Sequence, residues 1–114
     1  MCTQTELNQI TSHVAKAARD SLGNKLEKVI LYGSYARGDN DSDSDIDIMV
    51  LANVLNKDCW KERAKIRKIT GSLDLEHNIF VSMTVIDSAT FYKYLNTLPF
   101  YKNVLKDGIE LSAQ

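Results

Sequence analysis

Apolar positions recur along this chain with two different periods, and the switches between them predict the order of its elements. From Thr3 to Gly23, Leu7, Ile10, Val14, Ala17 and Ser21 or Leu22 fall on one helical stripe, and Gly23 marks its end. Leu26 to Tyr32 (LEKVILY) is rich in β-branched and aromatic residues and stops at Gly33-Ser34, which predicts a largely buried strand. A polar stretch follows from Tyr35 to Ser44, carrying Gly38 and three aspartates. Asp45 to Leu51 (DIDIMVL) alternates acid with apolar before turning wholly apolar, which predicts a second strand. Lys57 to about Leu75 mixes charges with Trp60, Ala64, Ile66 and Ile69 and predicts a helix; Ile79 to Ile86 (IFVSMTVI) predicts a third strand. Phe91 to Lys106 is helical in tendency but interrupted at Pro99, so two short helices are expected. The order α-β-loop-β-α-β-α predicts an α/β (α+β) fold, with helices packed on a small mixed sheet of about three strands. No repeat, low-complexity tract or linker divides the chain, so residues 1–114 are expected to form one domain.

Composition narrows the class. With 44% hydrophobic and 25% charged residues the chain is globular rather than disordered. A net charge of −1 gives no general attraction to nucleic acid or anionic lipid. No apolar run approaches the ~20 residues that span a bilayer. The opening MCTQTELNQI lacks the basic and apolar segments of a secretory signal, so a cytoplasmic location is expected. Cys2 and Cys59 are isolated and read as free thiols. His13 and His77 have no second candidate ligand nearby in sequence and read as surface or satisfied histidines. The run Lys61 to Lys68 (KERAKIRK) reads as the wet face of a helix, with a nucleic-acid patch as the sharper alternative. Trp60 reads as core or as an exposed anchor. Phe91, Tyr92, Tyr94, Phe100 and Tyr101 read mostly as packing, with aromatic surface left over for a partner or for a homo-oligomer.

The chemistry concentrates in Gly33 to Asp47, GSYARGDNDSDSDID. Two apart on a strand, Asp45 and Asp47 leave the same face, while Ile46, Ile48 and Val50 leave the other. Carboxylates ~7 Å apart repel by roughly 2.4 kcal/mol at an effective dielectric of 20. A divalent cation such as Mg²⁺ or Mn²⁺ removes that conflict, whereas without one the pair is a solvated strand edge. Gly33 permits close approach of backbone to a bulky anion, and Ser34 offers a hydroxyl and the amides of the turn or short helix that follows. A phosphate cradle beside a metal-binding acid pair is what phosphoryl or nucleotidyl transfer requires. Two other motifs fail on inspection. Gly33 and Gly38 match the glycines of a P-loop, but Asp39 and Asn40 stand where Lys and Ser/Thr belong. Asp39, Asp41 and Asp43 begin like an EF-hand loop, but Ser44 and Val50 replace its glycine and its bidentate Glu.

The combination Gly33-Ser34, ten residues, Asp45-Ile46-Asp47 resembles the signature of the polymerase-beta-like nucleotidyltransferase superfamily, and the chain is similar in size to its minimal nucleotidyltransferases. The likeness is sharp over residues 29–51 and looser at Phe100 to Leu111 (FYKNVLKDGIEL). It implies a polymerase-beta-like fold, Gly33 and Ser34 holding nucleotide phosphates, and Asp45 and Asp47 as catalytic ligands of Mg²⁺ or Mn²⁺. An acceptor hydroxyl would attack the α-phosphate of a nucleoside triphosphate, ATP being the expected donor, with release of pyrophosphate. Arg37 either approaches those phosphates or is a solvated loop arginine. The family's third acid has no counterpart within Ile79–Ile86: Asn78 and Ser82 hold the matching positions, and Asp74 and Glu76 lie just before them. Either one of those acids reaches the site or the third ligand is missing. The resemblance further implies a small helical partner of the HEPN class, with this chain as the antitoxin that adds AMP to a tyrosine of the toxin. The alternative is a catalytically weak nucleotide-binding module that neutralises its partner by contact. A small-molecule transferase fits less well because no acceptor domain is present. No template nucleic acid is expected, since there is neither a basic stripe nor an aromatic stacking platform.

Overall fold

The computed structural model describes residues 2–111, and the ends of the expected 1–114 domain lie outside them. Helix α1 (Gln4–Leu22) starts at a capping box: the Glu6 amide donates to the Thr3 hydroxyl at 3.1 Å, and the Thr3 amide donates to the Glu6 carboxylate at 3.2 Å. The elements after it are strand β1 (Leu26–Tyr32), a one-turn helix α2 (Ser34–Arg37) and strand β2 (Ile46–Ala52). Helices α3 (Cys59–Thr70) and α4 (Leu73–His77) lead to strand β3 (Val81–Asp87). Two short helices, α5 (Ser88–Lys93) and α6 (Pro99–Asp107), and the two-residue strand β4 (Ile109–Glu110) complete the order. Among the described residues no helix is long and apolar enough to cross a membrane.

The sheet has the order β3-β2-β1-β4, with β1 antiparallel to β2 and β4, and β2 parallel to β3. Strand alternation sorts its residues onto two faces. Val29, Leu31, Ile46, Ile48, Val50 and Met83 pack beneath α1, Ile66 of α3 and Tyr35 of α2. Ile30, Met49 and Leu51 pack on the opposite side against Phe91 of α5 and Val104 of α6. Central β2 is therefore covered on both faces, with Ile48 through Ala52 fully buried. Each large side chain there contributes roughly 1.5–3 kcal/mol of burial.

The fold differs from the sequence expectation in three places. The sheet gains a fourth strand, β4, too short to carry a period of its own. Gly108 makes the return possible, since a Cβ there would collide with the Val104 carbonyl and the Ile30 side chain. The helix expected from Lys57 to about Leu75 is broken after Thr70 into α3 and α4. Of its four apolar markers only Ile66 enters the core, while Trp60 and Ile69 are 67% and 49% exposed, so Trp60 is a surface residue.

The third difference concerns the run KERAKIRK. Two of its arginines, one helical turn apart on α3, turn toward the sheet. Arg63 Nε donates to the Met83 carbonyl at 2.8 Å, and Arg67 Nη1 donates to the Val81 carbonyl at 3.3 Å. Phe80, in contrast, gives its carbonyl to the Ile46 amide of β2. The arginines thus cap carbonyls on the outer edge of β3, a sheet edge that would otherwise invite pairing with another chain. Arg63→Ala is expected to lower unfolding free energy by about 1 kcal/mol and to hasten aggregation, as read by urea titration and light scattering.

Candidate active site

The site forms where β1 ends beside the start of β2. Tyr32 and Asp47 are directly opposed in the antiparallel register, and the chain then turns at Gly33, with φ of 79°, into α2. Asp47 projects from the face opposite Ile46, Ile48 and Val50, and its carboxylate lies against the bare backbone of Gly33. A Cβ at Gly33 would occupy the place of the Asp47 oxygen. Both the dihedral and the contact therefore require glycine. Ser34 follows as the first residue of α2, and buried Tyr35 anchors that helix to the core under α1. As at any helix start, the leading amides of α2 have no acceptor within the helix, whereas those of Ala36 and Arg37 donate to the Gly33 carbonyl.

Asp45 is exposed and sits immediately before β2, one residue short of the expected strand start. The loop leading to it is folded by Asp41, whose carboxylate accepts from the Asp43 amide at 2.9 Å and the Ser44 hydroxyl at 3.2 Å. Burial, and then the like charge of Asp45, push the Asp47 carboxyl above its usual value, while the Arg37 guanidinium pulls it back. Asp45, Asp47 and Arg37 are thus one electrostatic group, although Arg37 also pairs with Asp39 at 3.1 Å.

The third-acid position resolves against a carboxylate. Ser82 lies beside Asp47 in the β2–β3 register, and Asn78 is the left-handed cap that ends α4. Asp74 is engaged by the Val81 amide at 3.1 Å and by Arg67 at 3.5 Å, and Glu76 by the Ser72 hydroxyl at 2.8 Å. Among the described residues no group of three or more His, Cys, Asp or Glu side chains gathers. The donor set is therefore two hard carboxylates of raised charge density. That suits a cation such as Mg²⁺, which is held by one or two protein carboxylates together with waters and substrate phosphates.

Other candidates fall to ordinary roles. His77 Nδ1 meets the Glu6 carboxylate at 3.2 Å, His13 is exposed, and Cys2 and Cys59 are free thiols. A cavity of about 490 Å³ lies at the other end of β2, near Asn53, Asn56 and Asp87. There, burial pushes the Asp87 carboxyl up, but hydrogen bonds from Asn56 and Thr90 outweigh it and hold it below the usual range. Asp87 is a satisfied helix cap. Sequence reasoning missed the contribution of α6, which walls a cleft of about 220 Å³ beside Gly33 and Arg37. The available signal was the helical stripe Phe100, Asn103, Val104, Asp107, which mixes polar with apolar residues.

A family model described as "Nucleotidyltransferase domain" matches residues 13–110. The chain belongs to the nucleotidyltransferase domain family. It is 35% identical over 106 residues to "Putative protein adenylyltransferase MJ0141" of Methanocaldococcus jannaschii, covering 93% of this chain and 99% of that one. A second protein of that organism with the same kind of name, MJ0604, is 30% identical over 92 residues, covering 81% of this chain and 84% of that one. Among solved structures, a toxin–antitoxin crystal structure with AMP-PNP matches with a TM-score of 0.54 and 27% identity, covering 89% of this chain and 71% of that one. A mutant of the MntA-HpeT toxin–antitoxin matches with a TM-score of 0.53, 25% identity and the same coverage. This nucleotidyltransferase is accordingly an enzyme of that class, with the mixed sheet and flanking helices of its structural neighbours.

Two stability measurements check the geometry. Gly33→Ala is expected to cost at least about 2 kcal/mol in chemical unfolding, because a positive φ alone costs an L-residue roughly 1–2 kcal/mol and the Asp47 carboxylate must also move. Asp47→Asn is expected to do the opposite at neutral pH. A carboxyl whose folded value is raised holds its proton more tightly when folded, so ionising it costs stability as pH climbs through that range. Thermal melts should show the Asn variant more stable at pH 7, with the gap closing once the pH falls below the ordinary carboxylate range.

Proposed function

We propose that this nucleotidyltransferase moves AMP from ATP to a hydroxyl on a cytoplasmic partner protein, and that Asp45 and Asp47 hold the Mg²⁺ or Mn²⁺ the reaction needs. One observation carries the reading: the Asp47 carboxylate rests on the bare Gly33 backbone at the entry to α2, so acid and turn can face the same triphosphate. Gly33 and Ser34 receive its phosphates, the former by the turn its positive φ allows and the latter by its hydroxyl. A bound divalent ion would neutralise charge on the triphosphate and favour in-line displacement. The acceptor oxygen forms its bond to the α-phosphorus, the bond from that phosphorus to pyrophosphate breaks, and the hydroxyl proton passes to solvent or base. Arg37 adds positive charge beside Asp47.

The acceptor belongs to another chain. The likeness to a toxin–antitoxin structure with AMP-PNP supports a toxin as that partner, with this chain as antitoxin; a tyrosine-bearing helical toxin of the HEPN class is the partner that the sequence resemblance implies. A second reading is favoured by Ser82, which stands beside Asp47 where a third acid would assist the acceptor hydroxyl. On that reading the chain binds nucleotide and neutralises its partner by contact, with little turnover.

Incubating chain and partner with ATP labelled at the α-phosphate and Mg²⁺ separates the two. Label on the partner, reduced at least a hundredfold by Asp47→Asn or Asp45→Asn, is the expected result. Binding of ATP without label transfer over many hours favours the contact module, and equal transfer by parent and variants refutes the assigned acids. Metal binding has its own readout: Mg²⁺ at ten times its Kd should stabilise the parent by about 1.4 kcal/mol and leave Asp47→Asn unmoved.

A further inference from the structure

The sheet face from which Asp47 projects is roofed in part by α6, and the gap between them is a cleft of about 220 Å³. Tyr32 and Gly33 form its sheet-side wall and Arg37 one end; α6 supplies Phe100, Asn103, Val104 and Asp107. Those four positions are i, i+3, i+4 and i+7, a single stripe of the helix. On a helix that only packs, such a stripe is apolar, but here Val104 alone is buried. Phe100 is 50% exposed, and its ring meets Tyr32 edge to face, with centroids 5.7 Å apart. Asn103 and Asp107 are exposed residues of its lining, and neither has a hydrogen bond or ion pair to another described residue. A cleft next to the phosphate-receiving turn thus offers an aromatic wall, a donor–acceptor amide and a pure acceptor.

We propose that this cleft is the subsite for the nucleobase of the triphosphate, read at its edge by Asn103 and Asp107 and at its face by Phe100. The inference rests on the nucleotide reading of Gly33 and Ser34 given above. The volume is below the roughly 300–1,000 Å³ of a site for a whole drug-sized ligand, so the cleft takes one part of a nucleotide. A base edge presents donor and acceptor side by side, the pattern that an amide and a carboxylate satisfy together. The single hydroxyl of an acceptor tyrosine would leave one of the two unmatched, which argues against the acceptor in this place.

Calorimetric titration of the full chain with ATP and with inorganic tripolyphosphate, each with Mg²⁺, tests the assignment. Tripolyphosphate reports on the Gly33-Ser34 turn alone and shows that each variant is folded. The double variant Asn103→Ala, Asp107→Ala is expected to bind ATP about tenfold more weakly, some 1.4 kcal/mol, and to bind tripolyphosphate as the parent does. Phe100→Leu should shift ATP binding in the same direction. Unchanged ATP affinity in the double variant overturns the base subsite while leaving the phosphate reading intact. Equal loss of both ligands overturns it too, because the effect then does not pass through the base. A parent that binds neither ligand defeats the phosphate reading and the subsite with it.

Discussion

The contact between the Asp47 carboxylate and the backbone of Gly33 is the constraint around which this molecule is arranged. It exists because the antiparallel register sets Tyr32 opposite Asp47, so that the residue after Tyr32 must pass directly over the acid. Any side chain at that residue would displace the carboxylate, and a positive φ there lets the chain turn at once into α2. The acid itself is held at some cost, since burial and the neighbouring charge of Asp45 both disfavour its ionised form. Burial of β2 on both faces supplies the offset, locking the strand in register through residues that have nothing to do with chemistry.

The two faces of the sheet divide the labour. Under α1 and α3 the face is committed to packing. The opposite face is packed only in part, beneath α5 and α6, and opens toward Tyr32 and Asp47 at the ends of β1 and β2. Polar groups can gather there without being sealed from water, which is why a charged acid pair survives at the margin of so small a core. The outer edge of β3 is treated differently again, its free carbonyls covered by Arg63 and Arg67. Covering those carbonyls makes that edge less open to pairing with another strand.

Much of the plan is legible in the sequence. The bounds of Leu26–Tyr32 are legible because β-branched and aromatic residues run up to a glycine, and those of α1 because its apolar stripe ends at Gly23. The pairing of Asp47 with one face and Ile46, Ile48 and Val50 with the other follows from strand alternation alone. Trp60, Ala64 and Ile69 misled, since apolar residues at helical spacing mark a core face only where a core lies alongside, and α3 offers one there only at Ile66. The arginines of KERAKIRK look solvated in sequence because nothing local reveals that a sheet edge passes beneath them. Asp74 and Glu76 could not be placed either, as their partners are the start of β3, Arg67 and Ser72.

Local pattern determined where most helices and strands fall, which residues of β2 face the core, and that a glycine-serine turn follows one strand while an acid pair opens the next. These depend on periods of two and about 3.6 residues and on the conformational reach of glycine, all of which are written into a few neighbouring positions. Tertiary structure alone decided that Asp74 and Glu76 are engaged by Val81, Arg67 and Ser72 rather than joining Asp47, that two arginines cover carbonyls on the β3 edge, and that α6 comes down beside Gly33 to form a cleft. Each of those depends on strand order and helix placement that follow from packing the whole core at once.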